Sequence, residues 1–233
     1  MRSEKKINAV AIDGPAGSGK STVSRKVANK LGYTYIDTGA MYRALTLKIM
    51  EKNIDLEDSE RIIRESGSFT LELQTSGMSD STIRVLLDSR DVSDLIRDPE
   101  VTRNVKYVAV VPEVRANLVK MQQKMIASLD GSVMEGRDIG TVVIPDARYK
   151  IFLDASFSER VERRYRELMA KGNDVIIDEV AKDLEERDNS DYRRAVGPLK
   201  MADDAHRLDT TGMSIDEVVD AIVSVVHGDR GGK

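Results

Sequence analysis

The sequence predicts an α/β fold in which a central parallel sheet is covered by helices on both faces. Strand-like and helical segments alternate along most of the chain, the pattern left when parallel strands are joined by crossover helices. An apolar run, Ile7 to Ile12, also leads through Gly14-Pro15-Ala16-Gly17-Ser18-Gly19-Lys20-Ser21-Thr22 into a helical pattern, the strand–loop–helix order of a phosphate-binding unit. The chain has 233 residues and 40% hydrophobic content, which suits one such core with modest insertions.

The first strand is expected over Lys6–Asp13 and the first helix from Lys20 to Leu31. Val23, Val27, Ala28 and Leu31 fall on one face of that helix, and Gly32 is placed to end it. A short strand, Tyr33–Asp37, feeds a helix from about Thr38 to Lys52, with Thr38 a natural N-cap. Ser132–Glu135, Tyr149–Asp154 and His206–Thr210 read as further strands. The closing helix, Ser214–His227, carries Ile215, Val218, Val219, Ile222 and Val226 at helical spacing, and the tail Gly228–Lys233 reads as frayed.

Two stretches depart from this rhythm. In residues 68–96, Phe69, Leu71 and Leu73 alternate with polar residues, and a turn is expected at Ser76–Ser81. Ile83–Leu87 and Asp91-Val92 follow, so a small antiparallel insertion is expected. From Ser158 to Arg194 the pattern is helical and heavily charged, divided by Gly172-Asn173 into two helices with a hinge-like turn. Its interleaved glutamates and arginines suit a solvated face. Taken alone the stretch favours that solvated face; the contrary reading makes Arg160, Arg163, Arg164, Arg166, Arg187, Arg193 and Arg194 part of a mobile lid over phosphates.

Composition narrows the function. The net charge is −4 and aromatic residues make up 4%, so neither a basic field nor stacking platforms favour nucleic acid. Cysteine is absent, which excludes disulfides and thiolate metal sites. The charged start, Met1–Lys6, lacks a secretory apolar stretch. No segment approaches about 18 consecutive apolar residues, so no membrane association and a cytoplasmic location are expected. His206 and His227 are expected at packing or surface positions.

The loop's chemistry explains its residue types. Glycines let backbone N–H groups turn around phosphate oxygens at a helix N-terminus, where the partial charge is positive. Lys20 reaches the outer phosphates of a nucleoside triphosphate, and the Ser21 hydroxyl is suited to Mg²⁺. No clear D-x-x-G plus N-K-x-D pair selects guanine, which disfavours a GTPase switch. Two other strand exits carry charge: Asp37–Arg43, with Arg43 suited to a second phosphate, and Met134–Thr141, with Arg137-Asp138. Ligands of open parallel sheets sit beyond the carboxyl ends of strands, so these exits and the loop point to one edge. Another small-molecule kinase and a nucleotide sensor without turnover remain as alternatives at this point.

The motifs GPAGSGKST (Gly14–Thr22), DTGAMYR (Asp37–Arg43), PEVR (Pro112–Arg115), GRDIGTVV (Gly136–Val143), ERD followed by RRAVGPL, and DTTGMSIDEVV (Asp209–Val219) together resemble the bacterial cytidylate kinase family, over about Ile7 to Val226. The first motif marks only the P-loop superfamily, whereas DTGAMYR with GRDIGTVV in this order is narrower. The resemblance implies a three-layer P-loop kinase fold formed by one domain over 1–233, with the insertion 68–96 capping the CMP side and a helical lid over about 157–194. It implies transfer of the γ-phosphoryl of ATP to CMP or dCMP with Mg²⁺, by a monomer. Lys20, Arg43, Arg137 and Arg194 would be the catalytic cations, the last three on the acceptor phosphate. Thr38 would lie near the acceptor nucleotide, Asp138 and Arg115 would read cytosine, and Arg187 and Asp191 would contact the ribose. A carboxylate suits the amino group at C4 of cytosine, whereas uracil presents an oxygen there. One departure concerns base selectivity: Lys106 stands where the family commonly has a small hydroxyl residue. Lysine donates but does not accept, so a solvent-facing Lys106 with a neighbour in its place is expected.

Overall fold

The computed structural model describes residues 6–75 and 83–228. The turn expected at Ser76–Ser81, the charged start before Lys6 and the tail after Gly228 lie outside the described residues.

Five parallel strands form the main sheet in the order β2-β6-β1-β7-β8. They are β1 (Ile7–Asp13), β2 (Thr34–Asp37), β6 (Ser132–Gly136), β7 (Ala147–Asp154) and β8 (His206–Asp209). The strands' ends differ from the sequence expectation by a few residues, but their identity and order along the chain do not. On one face, Val10 and Ile12 of β1 pack with Val23 and Val27 of α1 (Lys20–Leu31) and with Val218, Ile222 and Val226 of α8 (Ile215–Gly228). On the other face, Ala9 and Ala11 meet Met134 and Ile139, Val143 and Ile144. Because both faces are covered, β1 is apolar at every position from Ala9 to Ile12 rather than alternating.

Gly32 ends α1 with φ of 66°, its N–H returning to the carbonyls of Ala28 and Asn29. The helix α2 (Thr38–Glu51) begins differently from the sequence expectation. Asp37, not Thr38, is the N-cap, its carboxylate accepting from the Ala40 N–H at 2.9 Å. Thr38 is already helical, and its hydroxyl donates instead to the Glu135 carbonyl at 2.7 Å. Ile215 opens α8 and is 47% exposed, while Val218, Val219, Ile222 and Val226 are buried.

A separate antiparallel sheet, in the order β3-β4-β5, comprises β3 (Leu71–Thr75), β4 (Ile83–Leu87) and β5 (Arg90–Asp91). It turns Leu71, Val85 and Leu87 into the core shared with α2. Three helices, unassigned in the sequence reading, complete this side: α3 (Ser59–Ser66), α4 (Pro99–Ala109) and α5 (Pro112–Ile126). Pro99 and Pro112 stand in their first turns, where a missing N–H costs nothing. Beyond β7, α6 (Phe157–Ala170) and α7 (Ile177–Arg193) flank a connection in which Gly172 has φ of 77°. That is where the sequence places two helices and a turn.

Candidate active site

The carboxyl ends of β1, β2 and β6 open into a cavity of about 1350 Å³. Residues Ala16 to Thr22 line it; Gly14 and Pro15 do not. Gly14 instead backs onto the Leu153 carbonyl of β7 with no room for a Cβ. The Pro15 carbonyl accepts from Lys20 Nζ at 2.6 Å, and Ser18 Oγ lies 3.2 Å from the same nitrogen. Gly17 and Gly19 hold φ of 75° and 88°, conformations that disfavour a side chain. Gly19 is the N-cap of α1 without a side-chain cap, so the first amides of α1 face the cavity as an anion site. Burial, and then the Arg137 guanidinium, hold the Lys20 ammonium well below the ordinary lysine range. Bound phosphate would relieve both.

Beside this cationic loop lies an acidic corner. Ser21 Oγ donates to Glu135 Oε2 at 3.0 Å, the Tyr35 hydroxyl donates to Glu135 Oε1, and Asp37 is close enough to add charge repulsion. Burial and then Asp37 raise the Glu135 carboxyl above its usual range. A hydroxyl and carboxylate oxygens are the hard donors that Mg²⁺ prefers, and Mg²⁺ on nucleotides takes few protein ligands besides phosphates and water. The residues therefore fit the metal. Sequence reasoning named Ser21 here and missed Glu135, although its position at the end of the strand next to β1 was the available signal.

Arginines converge on the opposite wall. Arg43 pairs with Asp37 at 2.9 Å. Arg137 Nε donates to Asp191 Oδ2 at 2.7 Å. Arg194 reaches Asp191 Oδ1 at 3.2 Å and Asp138 Oδ1 at 3.7 Å. Arg187 has no hydrogen bond or ion pair among the described residues. Burial and then Arg137, with Arg43 and Arg164 also repelling it, lower its guanidinium to about 10. Asp191 offsets this repulsion only in part, and like charges crowded in this way suit a further anion.

Deeper in, Arg115 forms a buried ion pair with Asp138 and stacks 5.4 Å from the Tyr42 ring centroid. Arg115 Nε and Arg194 Nη2 are buried donors with no hydrogen-bond partner among the described residues. Such orphaned donors are costly unless a ligand meets them. Gly197, at φ of 57°, closes against Asp138 and Arg115, where any Cβ would collide with both. Asp13, also missed in the sequence, accepts from the N–H groups of Ile139 and Gly140 at 2.8 Å each. It thereby fixes the turn that follows Asp138.

Lys20, Arg43, Arg115, Arg137, Asp138, Arg187, Asp191 and Arg194 thus line this one cavity, together with Thr38; of the other arginines named for a lid, Arg163, Arg164 and Arg166 line it, whereas Arg160 and Arg193 do not. Lys106 keeps 35% of its side chain exposed. It lines the cavity from α4, with Nζ 3.4 Å from Glu186 Oε2 of α7. Thr102, one turn earlier, brings a hydroxyl to the same wall.

A family model described as "Cytidylate kinase" matches residues 10–228. A cytidylate kinase of Caldanaerobacter subterraneus subsp. tengcongensis is 47% identical over 224 residues, covering 96% of each chain. One of Bacillus cereus is 48% identical over 225 residues, covering 97% of this chain and 98% of its own. Among solved structures, an uncharacterized protein from Eubacterium ventriosum superposes with a TM-score of 0.53 at 12% identity, over 96% of this chain and 99% of that one, a likeness of fold.

Proposed function

The chain belongs to the cytidylate kinase family, and from that premise we propose that it transfers the γ-phosphoryl of ATP to CMP or dCMP, giving ADP and the nucleoside diphosphate. One observation carries the reading most directly. Arg43, Arg137, Arg187 and Arg194 converge opposite Lys20 in one cavity, and Arg187 is destabilised by its own neighbours. Two polyanions approaching in line relieve that repulsion. A sensor holding one nucleotide has no use for the second set of cations.

In this reading Ala16 to Thr22 and the first amides of α1 hold the donor phosphates, with Gly14 and Pro15 shaping the loop from behind. The donor's base lies toward Thr210, Met213 and Ser214, which line the same cavity. Arg43, Arg137 and Arg194 grip the acceptor phosphate, while Arg187 and Asp191 face its ribose. Thr38 stays with the Glu135 carbonyl and shapes the acceptor wall. Asp138 accepts from the cytosine amino group, and Arg115, already paired with it, donates from its free Nε to a base acceptor. Because the acceptor is itself an ionised phosphate, alignment and charge neutralisation suffice, and no strong general base is needed. Mg²⁺ held near Ser21 and Glu135 would neutralise charge on the donor phosphates. Helices α6 and α7 act as a lid that brings Arg163, Arg164 and Arg187 over the phosphates and excludes water. The chain is read as a monomer, and the substrates are those of the cytoplasm.

An acceptor panel of CMP, dCMP, UMP, AMP, GMP and shikimate with ATP and Mg²⁺ tests this. Turnover favouring the cytidine nucleotides, with UMP used only residually, is expected; a preference for any other acceptor, or no turnover at all, overturns it.

A further inference from the structure

Helices α6 and α7 both hydrogen-bond to the phosphate loop at Ala16. Asp188 Oδ1 accepts from the Ala16 N–H at 3.3 Å, and Arg160 Nη1 donates to the Ala16 carbonyl at 2.9 Å. The same Arg160 nitrogen meets Asp188 Oδ2 at 2.5 Å. Arg160 Nε donates to the Ala155 carbonyl at 3.3 Å, which anchors the guanidinium to the exit of β7. Arg160 and Asp188 are 8% and 7% exposed, and neither lines the cavity. Around them Ala16 packs with Val180 and Leu184 of α7. A Cβ on Gly17 would stand 2.9 Å from the Arg160 carbonyl, so the loop passes close against α6 here. One turn further along α7, Asp191 holds Arg137 of the acceptor side.

We propose that Asp188, with Arg160, is a positioning residue that clamps the Ala16 peptide and so sets the donor loop in register with the acceptor clamp on the next turn of α7. This rests on the assignment of the loop to ATP and of Arg137 to the acceptor. The paired side chains offer one acceptor to the N–H and one donor to the carbonyl of the same residue. A pair serving only to join α6 to α7 would not need either contact.

The experiment measures Kd for ATP and for CMP separately, alongside kcat with both. Asp188→Asn keeps the shape but turns an N–H₂ group toward either Arg160 or Ala16. Kd for ATP is expected to rise about tenfold, the equivalent of one charge-assisted hydrogen bond, with Kd for CMP within about twofold. Arg160→Lys, whose single ammonium replaces the guanidinium fork, is expected to act in the same direction and decides the matter if Asp188→Asn does not fold. Exchanging the two residues restores opposite charges but presents donors to the N–H and acceptors to the carbonyl, so ATP affinity should stay low. Equal losses for both nucleotides, full recovery of ATP binding in the exchanged variant, or failure of all three variants to fold overturns the proposal. An inactive wild type toward CMP combined with the selective ATP loss would overturn the assigned reaction and leave the clamp standing.

Discussion

Arg137 and Asp191 meet at 2.7 Å, tying the exit of β6 to the last turns of α7 through one largely buried ion pair. Burial pushes the Asp191 carboxyl up, but Arg137, Arg187 and Arg194 more than offset it and hold it below the usual carboxylate range. Asp191 is thus the anion that lets three arginines coexist before a phosphate arrives.

Replacing Asp191 by alanine leaves those guanidinium groups facing one another. Removing one partner of a buried pair costs about 3–5 kcal/mol, so kcat/KM for CMP is expected to fall at least about 100-fold. KM for ATP should stay within about twofold. Steady-state kinetics with each substrate varied in turn checks this; a larger effect on ATP would place Asp191 on the donor side.

Lys20→Ala is expected to lower turnover with CMP and with UMP alike, by about 1000-fold or more. The ammonium serves the donor phosphates in the transition state, whichever acceptor follows. An acceptor-dependent loss would move Lys20 out of the donor site.

Asp138→Ala should separate the acceptors. The carboxylate gains its advantage from the cytosine amino group, and an unmet acceptor facing uracil costs about 1–3 kcal/mol. CMP turnover should therefore fall more than residual UMP turnover, narrowing the ratio of their kcat/KM values by about tenfold or more. An unchanged ratio would assign Asp138 to holding Arg115 alone.

How much of this was legible in the sequence depends on the reach of each interaction. The phosphate loop is local: its glycines and Lys20 lie within one turn, so pattern alone located it. Arg137 and Asp138 were reachable because strand exits share an edge. Glu135 and Asp13 were not singled out, since each works through a partner far along the chain: Ser21 for the first, the Ile139 and Gly140 amides for the second. Thr38 looked like a cap because Thr commonly is one, yet Asp37 offers a carboxylate to the same helix end and frees the Thr38 hydroxyl for Glu135. The long charged stretch could be read as a solvated face or a lid. Arg163 shows why: it pairs with Glu159 one turn away and reaches Thr210 across the cavity.

Hydrolysis of ATP should be slow until CMP is present. Closure of α6 and α7 over the bound acceptor is what excludes water in this account. ADP release with ATP alone should therefore lie far below the rate of transfer, and a non-phosphorylatable CMP analogue should not raise it to that rate. Equal rates with and without CMP would remove the lid from the mechanism.

The last expectation concerns Asp13 and pH. Burial raises its carboxyl from 3.8 to about 6, against the opposing pull of the Gly140 and Ile139 amides. The folded value lies above the unfolded one, so the folded state takes up the proton more readily. The associated stability is fully present below about pH 4 and is lost as pH rises toward about 6, in total about 3 kcal/mol. Above that window Asp13 is ionised in both states, and its contribution no longer changes. In Asp13→Asn this term is absent while most other titrating groups are shared with the parent. The stability of the parent minus that of the variant should thus decline between pH 4 and pH 6.5 and then level off. Urea unfolding of both proteins at several pH values measures that difference; a difference flat across the window, or one rising with pH, would mean that the two amides, and not burial, set the protonation of Asp13.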